Sequence, residues 1–337
     1  MISRIGVARP TSAPTFLEHW PVALPRHQGP WTVRSGECRW GVLDPERRTV
    51  RPVDPVHDPA LPALEEVLRR GTLIGYRVGR RAIVATPNSF VKVVRPKRLD
   101  ALLAAHTRLP HSTTMVPQVI ASDASGWVEF SVVPGPSFHE ILRRPFGGDE
   151  IPTVINDIAQ ALATFHLSPP PAGLPIRAID SPQRWIETVG RVEPDAVAPL
   201  SRVARELPEL EASPRCQVHG DLHDKNVFAS RLGVGLIDFD NTGLGMPEDD
   251  VANLAVHLQL RSLQARQPAE IGEARADLLY SVYRNQQLLD TDRLEAVERH
   301  TWFRLACLYR FRRSSRHLTF ELLRRSTPLR ARAMAAS

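Results

Sequence analysis

The run Val218-His219-Gly220-Asp221-Leu222-His223-Asp224-Lys225-Asn226-Val227, with Gly235-Leu236-Ile237-Asp238-Phe239-Asp240 shortly after it, decides how this 337-residue chain is read. The interval from Asp221 to Asn226 is long enough for a loop that turns back on itself, so the acid can face one reactant and the amide oxygen another. The second run is short and apolar and ends in acid, as expected where a buried strand delivers a carboxylate to a site at its end. Moving a γ-phosphoryl group needs a carboxylate beside the attacking hydroxyl and further oxygen ligands for the Mg²⁺ ions that neutralise the phosphates. The spacing therefore implies a phosphoryl-transfer centre. Asp221 would orient and deprotonate an acceptor hydroxyl, while Asn226 and Asp238 would hold Mg²⁺.

Other readings of these residues are weaker. His219 and His223 stand four apart, which on a helix could bind zinc, but Gly220 and the strand-like residues that follow argue for a loop, and no third ligand is suggested. An isolated His-Gly-Asp would report only on packing. Its combination with the downstream acids carries the argument.

Together these residues resemble the aminoglycoside phosphotransferase and choline kinase branch of the protein-kinase-like fold. That family has HGDxxxxN in its catalytic loop and I-D-[FW]-[DE] at its metal-binding segment. The resemblance continues through Gly245-Met246-Pro247-Glu248-Asp249-Asp250-Val251-Ala252, where the family has GDPxxDLA, with Met246 in place of the usual Asp. It implies that Asp250 opens a helix and braces the catalytic loop, and that His219 orients that loop. Val251, Leu254, Ala255 and Leu258 follow at helical spacing. The implied fold is α+β and bilobal, with a small antiparallel-sheet N-lobe over residues 61–134 and a larger, mostly helical C-lobe over residues 135–337.

Upstream, Gly71–Val78, Arg81–Ala85 and Phe90–Val94 are β-rich runs separated by turn signals, which predicts an antiparallel meander. Lys92 lies on the third run, where the family places the lysine that holds the α- and β-phosphates. Kinase-like enzymes pair that lysine with a Glu on the next helix. The segment from Val93 to Gln118 has no Glu, and Asp100 is its only acid. Val119–Gly126 and Trp127–Gly135 read as a hairpin leading into the family's hinge, where backbone groups near Ser131 and Val133 would face the adenine. A hinge presents main-chain groups, so ATP and GTP are not separated. From Ile151 to His166, Val154, Ile155, Ile158, Ala159, Leu162 and Phe165 share one face of an amphipathic helix that must end before Pro169-Pro170-Pro171. His166 is read as a packing residue.

The composition, 42% hydrophobic and 24% charged, suits two lobes with proper cores, and no long apolar stretch predicts a membrane span or leader. A cytoplasmic enzyme is expected. Cys38, Cys216 and Cys307 show no CxxC spacing, so neither a disulfide framework nor a zinc site is indicated. Of the thirty prolines many lie in the first sixty residues and at segment boundaries, and residues 1–60 read as an extension with a hairpin around Asp44-Pro45. The net charge of +6 is concentrated near the end, where ten arginines between Arg299 and Arg332 face Glu321 alone. Three readings stand: a solvated helix face, a dock for an anionic substrate or peptide, and a nucleic-acid contact. The helical repeat of Trp302, Leu305, Ala306 and Tyr309 favours the first. Glu248, Asp249, Glu270, Glu273 and Asp277 lie where the family builds its acceptor pocket. The sequence thus implies an O-kinase using ATP and Mg²⁺ on a small-molecule hydroxyl. Alternatives are a peptide hydroxyl kinase and a catalytically degenerate nucleotide-binding protein.

Overall fold

Alternation of apolar and polar residues at period two builds the first sheet of the computed structural model, which describes residues 22–25, 31–35, 39–107, 115–144 and 150–328. Cys38, Arg330, Arg332 and the first 21 residues lie outside the described set. The strands Val22–Leu24, Trp31–Arg34, Trp40–Asp44 and Thr49–Val53 pair antiparallel in chain order. The last two form the hairpin expected around Asp44-Pro45, with Trp40 opposite Val53 and Asp44 opposite Thr49. Its turn is set by the Asp44 carboxylate, which accepts from the N–H groups of Glu46 and Arg47 at 3.0 and 3.1 Å.

The chain divides into two units. One takes Met1–Ile83, Asp180–Glu209 and Arg299–Ser337; the other takes Val84–Ile179 and Leu210–Glu298. In the first, Trp31 is fully buried and meets Phe311 edge to face at 4.8 Å, while the Arg191 guanidinium lies 5.8 Å from its ring. Asp58 is buried there as well, and its carboxylate takes the Tyr76 hydroxyl and the Gly79 N–H, both at 2.7 Å. The C-terminal arginines of this unit turn inward. Arg310 and Arg316 share the Glu193 carboxylate, Arg299 donates to the carbonyls of Ser326 and Glu206, and Arg324 and Arg325 both bond Glu321. Five of the ten arginines are thus tied down by carboxylates or carbonyls, and Glu193 adds one acid to the Glu321 counted along the chain.

A five-stranded sheet runs in the order Thr72–Arg77, Arg81–Ala85, Ser89–Val94, Trp127–Ser131, Val119–Asp123. Lys92 stands opposite Val128 in its central strand, and Val91, Lys92, Val93 and Val94 are all buried. Helix Leu99–Thr107 covers part of this sheet through Leu99 and Leu102 against Val94, Val128 and Phe130.

The larger core of the second unit is helical. Helix Glu150–Leu167 buries Ile151, Ile155, Ile158, Ala159, Leu162 and Phe165, as its periodicity predicts, and Val154 packs half-buried beside them. Facing it are Val251, Leu254, Ala255 and Leu258 of helix Pro247–Gln264 and Leu279 and Tyr283 of helix Ala269–Arg284. Each such large side chain removed from water is worth about 1.5–3 kcal/mol, so this face is what makes the helices form. No helix among the described residues is long and apolar enough to cross a membrane.

Candidate active site

Residues 219–226 form a loop between the short strands Cys216–Val218 and Val227–Ser230, and they are held there by buried acids. Asp250 is fully buried at the start of helix Pro247–Gln264. Its two carboxylate oxygens accept the N–H of His219 at 2.6 Å and of Gly220 at 2.8 Å, and His166 Nε2 reaches it at 3.1 Å. Burial alone would raise its pKa, but bonds from His166 and charge from His166 and His219 hold it below the ordinary carboxylate range. The helix starts without the Asp that the family places at Met246. Pro247 occupies its first turn, and Asp249 reaches back to the Met246 N–H at 3.2 Å.

Asp224 is the second anchor, and nothing in the spacing singled it out. It is wholly buried, takes two bonds from Arg261 at 2.6 and 2.8 Å, and meets His139 Nδ1 at 2.6 Å. Burial would raise its pKa, but His139 and Arg261 together hold it far below the carboxylate range. A third tie comes from Asn253, whose amide donates to the Leu222 carbonyl at 2.6 Å.

The three residues read as an acid–amide–acid set are joined by a continuous run of bonds. Asn226 Nδ2 donates to the Asp221 carbonyl at 3.1 Å, and the Ile237 N–H donates to the Asn226 carbonyl at 3.0 Å. Ile237 precedes Asp238 directly. Its own carbonyl accepts from His219 Nε2 at 2.8 Å, while His219 Nδ1 accepts the Asp221 N–H at 3.3 Å. His219 therefore stitches the loop to the strand that carries Asp238, and its ring lies 4.8 Å from Phe239. The zinc alternative is not supported, because His219 is spent on these bonds and His223 stacks against His257 at 5.1 Å.

Asp238 itself is left-handed, at φ 65° and ψ 59°, which turns the chain out of strand Gly233–Leu236. An acid in this conformation costs on the order of 1 kcal/mol or more and persists only where its surroundings fix it. Here Lys92 does so. Its ammonium, almost wholly buried, bonds Asp238 at 2.9 Å and also Asp240. Asp240 was visible in the sequence but had no role in it. Asp100, the acid available on the following helix, is exposed, so the lysine finds its counter-charges downstream instead. The helix presents His106 on this side. The imidazole is buried, 4.3 Å from Phe130 and 6.2 Å from Phe239, and burial followed by the charge of Lys92 pushes its pKa down to about 4.

A cavity of about 260 Å³ lies at the expected hinge, lined by Met115, Val116, Gln118, Ser131 and Val133 among others. The Ser131 N–H is already committed to the Gln118 carbonyl at 2.9 Å, and its Oγ accepts the Gln118 N–H at 2.9 Å. Val133 is buried at the cavity wall.

The donor set fits a hard divalent cation rather than a soft one. Asp238 and the Asn226 amide offer oxygen, and Asn226 spends its N–H side on Asp221, leaving the oxygen side for a ligand. No cluster of three or more His, Cys, Asp or Glu side chains that could cage a metal occurs among the described residues. Magnesium does not need one, since it is usually held by one or two protein oxygens together with water and substrate phosphates. Cys216, near the loop, is buried with its thiol pushed up to about 12, and is inert.

The family model described as "Phosphotransferase enzyme family" matches residues 71–290. No curated protein matches the chain. Among solved structures, a choline kinase from Cryptosporidium parvum Iowa II is similar at a TM-score of 0.53 and 12% identity, covering 82% of this chain and 93% of that one. The streptomycin–ATP ternary complex of APH(2")-IIa is similar at 0.50 and 12%, covering 73% and 88%. These likenesses show the fold: a kinase-like α+β architecture with an antiparallel five-stranded N-terminal sheet and a helical C-terminal part.

Proposed function

Because the chain belongs to the phosphotransferase enzyme family and is a kinase, we propose that it transfers the γ-phosphoryl group of ATP to a hydroxyl of a small molecule, with Mg²⁺ as cofactor. The bonded run from Asp221 through Asn226 to Ile237, the residue before Asp238, supports this reading, since it ties together the segments that carry a candidate base and two oxygen ligands. Asp221 orients the acceptor hydroxyl and accepts its proton. Asn226 and Asp238 would hold the metal, which when bound draws charge from the phosphates. Lys92 grips the nucleotide phosphates, and the cavity beside Val133 takes the base. Transfer of this kind is almost entirely a matter of position and electrostatics, which is what the buried braces Asp250 and Asp224 supply. A cytoplasmic location accords with this chemistry.

The test is ADP release from Mg·ATP against a panel of sugars, amino alcohols and aminoglycosides. Acceptor-dependent release supports the reading; nucleotide binding with no release on any hydroxyl would favour the second reading, a regulatory protein of kinase fold. That alternative is motivated by the helix that offers His106 where an acid is usual.

A further inference from the structure

We propose that Arg177 recognises an oxyanion on the acceptor, a carboxylate or phosphate group close to the hydroxyl that is phosphorylated. The proposal rests on the kinase reading and deepens it. Segment Pro175–Arg177 runs parallel to strand Gly243–Gly245, bridged at Ile176 opposite Leu244. The Leu244 N–H donates to the Pro175 carbonyl at 2.8 Å, and the Arg177 N–H donates to the Leu244 carbonyl at 2.9 Å. The arginine side chain then lies across two glycines. A Cβ on Gly243 would meet the Pro175 carbonyl at 2.6 Å and Arg177 Cγ at 2.8 Å, and one on Gly220 would run into the Asn241 carbonyl and meet Arg177 Nε at 2.6 Å. Glycine at these positions lets both the backbone and the arginine pass close by. Gly220 is also left-handed at φ 81°, so the position is doubly reserved.

The guanidinium ends on the catalytic loop. Its Nη2 donates to the Gly220 carbonyl at 2.8 Å, and the next residue is Asp221. This is its one side-chain bond among the described residues, and no carboxylate there lies within ion-pair distance. A half-buried, permanently charged fork with most of its donors unspent matches a planar or tetrahedral oxyanion. Of the acids that would suit a cationic acceptor, the two at the start of helix Pro247–Gln264 are engaged elsewhere, while Glu270, Glu273 and Asp277 are exposed on the next helix. Asp249 bonds Arg293 at 3.0 Å and Glu248 takes the Asp290 N–H at 2.7 Å. A cation bonded to the residue before the candidate base, with Glu248 and Asp249 committed to other groups, suits an anionic hydroxyl compound.

Matched probes test this on the full chain with Mg·ATP: glycerol 3-phosphate against glycerol, and glucuronate against glucose. The first pair reports phosphate and the second carboxylate. Wild-type protein should favour at least one charged member by tenfold or more in kcat/KM, and Arg177→Met should cut that ratio by at least tenfold, mainly through KM. Arg177→Lys should restore part of it. Equal loss on charged and neutral members would mark a purely structural clamp and overturn the proposal. So would a wild-type enzyme that neither turns over nor binds, by calorimetry with a non-hydrolysable nucleotide, any charged member. A chain that fails to bind Mg·ATP refutes the kinase reading itself, and with it this inference.

Discussion

At the scale of single residues, the site depends on carboxylates doing different work in different surroundings. Asp221 follows a loop carbonyl tied to Arg177 and leads into an amide tie from Asn226, whereas Asp250 is entirely buried and spends both oxygens on backbone N–H groups. Their replacements should therefore fail differently. Asp221→Asn should lower kcat by about 10² or more with nucleotide affinity largely kept, in line with the loss of a general base; equal turnover would remove Asp221 from that role. Asp250→Asn should lower stability by roughly 2–4 kcal/mol, because an amide turned toward buried donors leaves at least one of them unmet. Urea unfolding reads this, and an unchanged midpoint would deny the brace. The motif residues were legible because chemistry dictates their type and spacing. Asp240 and His106 were not, since which side chain meets Lys92 depends on how strands and a helix far apart in sequence come together.

Helices and strands show where local pattern suffices. The face from Ile151 to Phe165 was readable because its 3.6-residue period reports burial directly, and the hairpin around Asp44 because Asp-Pro and short β-rich runs flank it. The two strands that extend that hairpin into a four-stranded sheet were not, being only three and four residues long in a proline-rich region. Likewise Ser131 at the hinge gives its N–H to Gln118, a use of the backbone that no side-chain pattern reveals. The least legible tie is that between the catalytic loop and helix Pro247–Gln264 through Asp224 and Arg261. Removing only Asp224 by substitution with Ala would strand a largely buried guanidinium, at roughly 3–5 kcal/mol. A double substitution with Arg261→Met should cost clearly less than the two single changes added together, the mark of a coupled pair. Additive losses in chemical denaturation would show that the pair contributes nothing of its own.

For the whole molecule, charge counted along the chain misleads and charge placed in the fold does not. Ten arginines near the end suggested a basic surface, yet Glu193, Glu321 and backbone carbonyls absorb half of them. The same placement sets how stability responds to acid. His106 has a pKa of 6.5 when exposed and about 4 when folded, lowered by burial and then by Lys92 while Asp240 and Asp238 oppose. The unfolded chain therefore binds this proton first. The contribution is fully present above pH 6.5 and is lost as pH falls toward 4, on the order of 3 kcal/mol across the window. Asp224 and Asp250, with folded pKa values held below the unfolded ones, keep their contributions above about pH 4 and lose them only in stronger acid. Stability should accordingly begin to fall near pH 6.5, well above any carboxylate. His106→Gln cannot take up that proton, so its midpoint in metal-free denaturant titrations should decline less steeply than the parent's from pH 6.5 to 4.5, the remaining slope coming from His223 and His300, which burial also holds below the ordinary imidazole value. Parallel slopes for the two proteins would show that the imidazole beside Lys92 is not the group responsible.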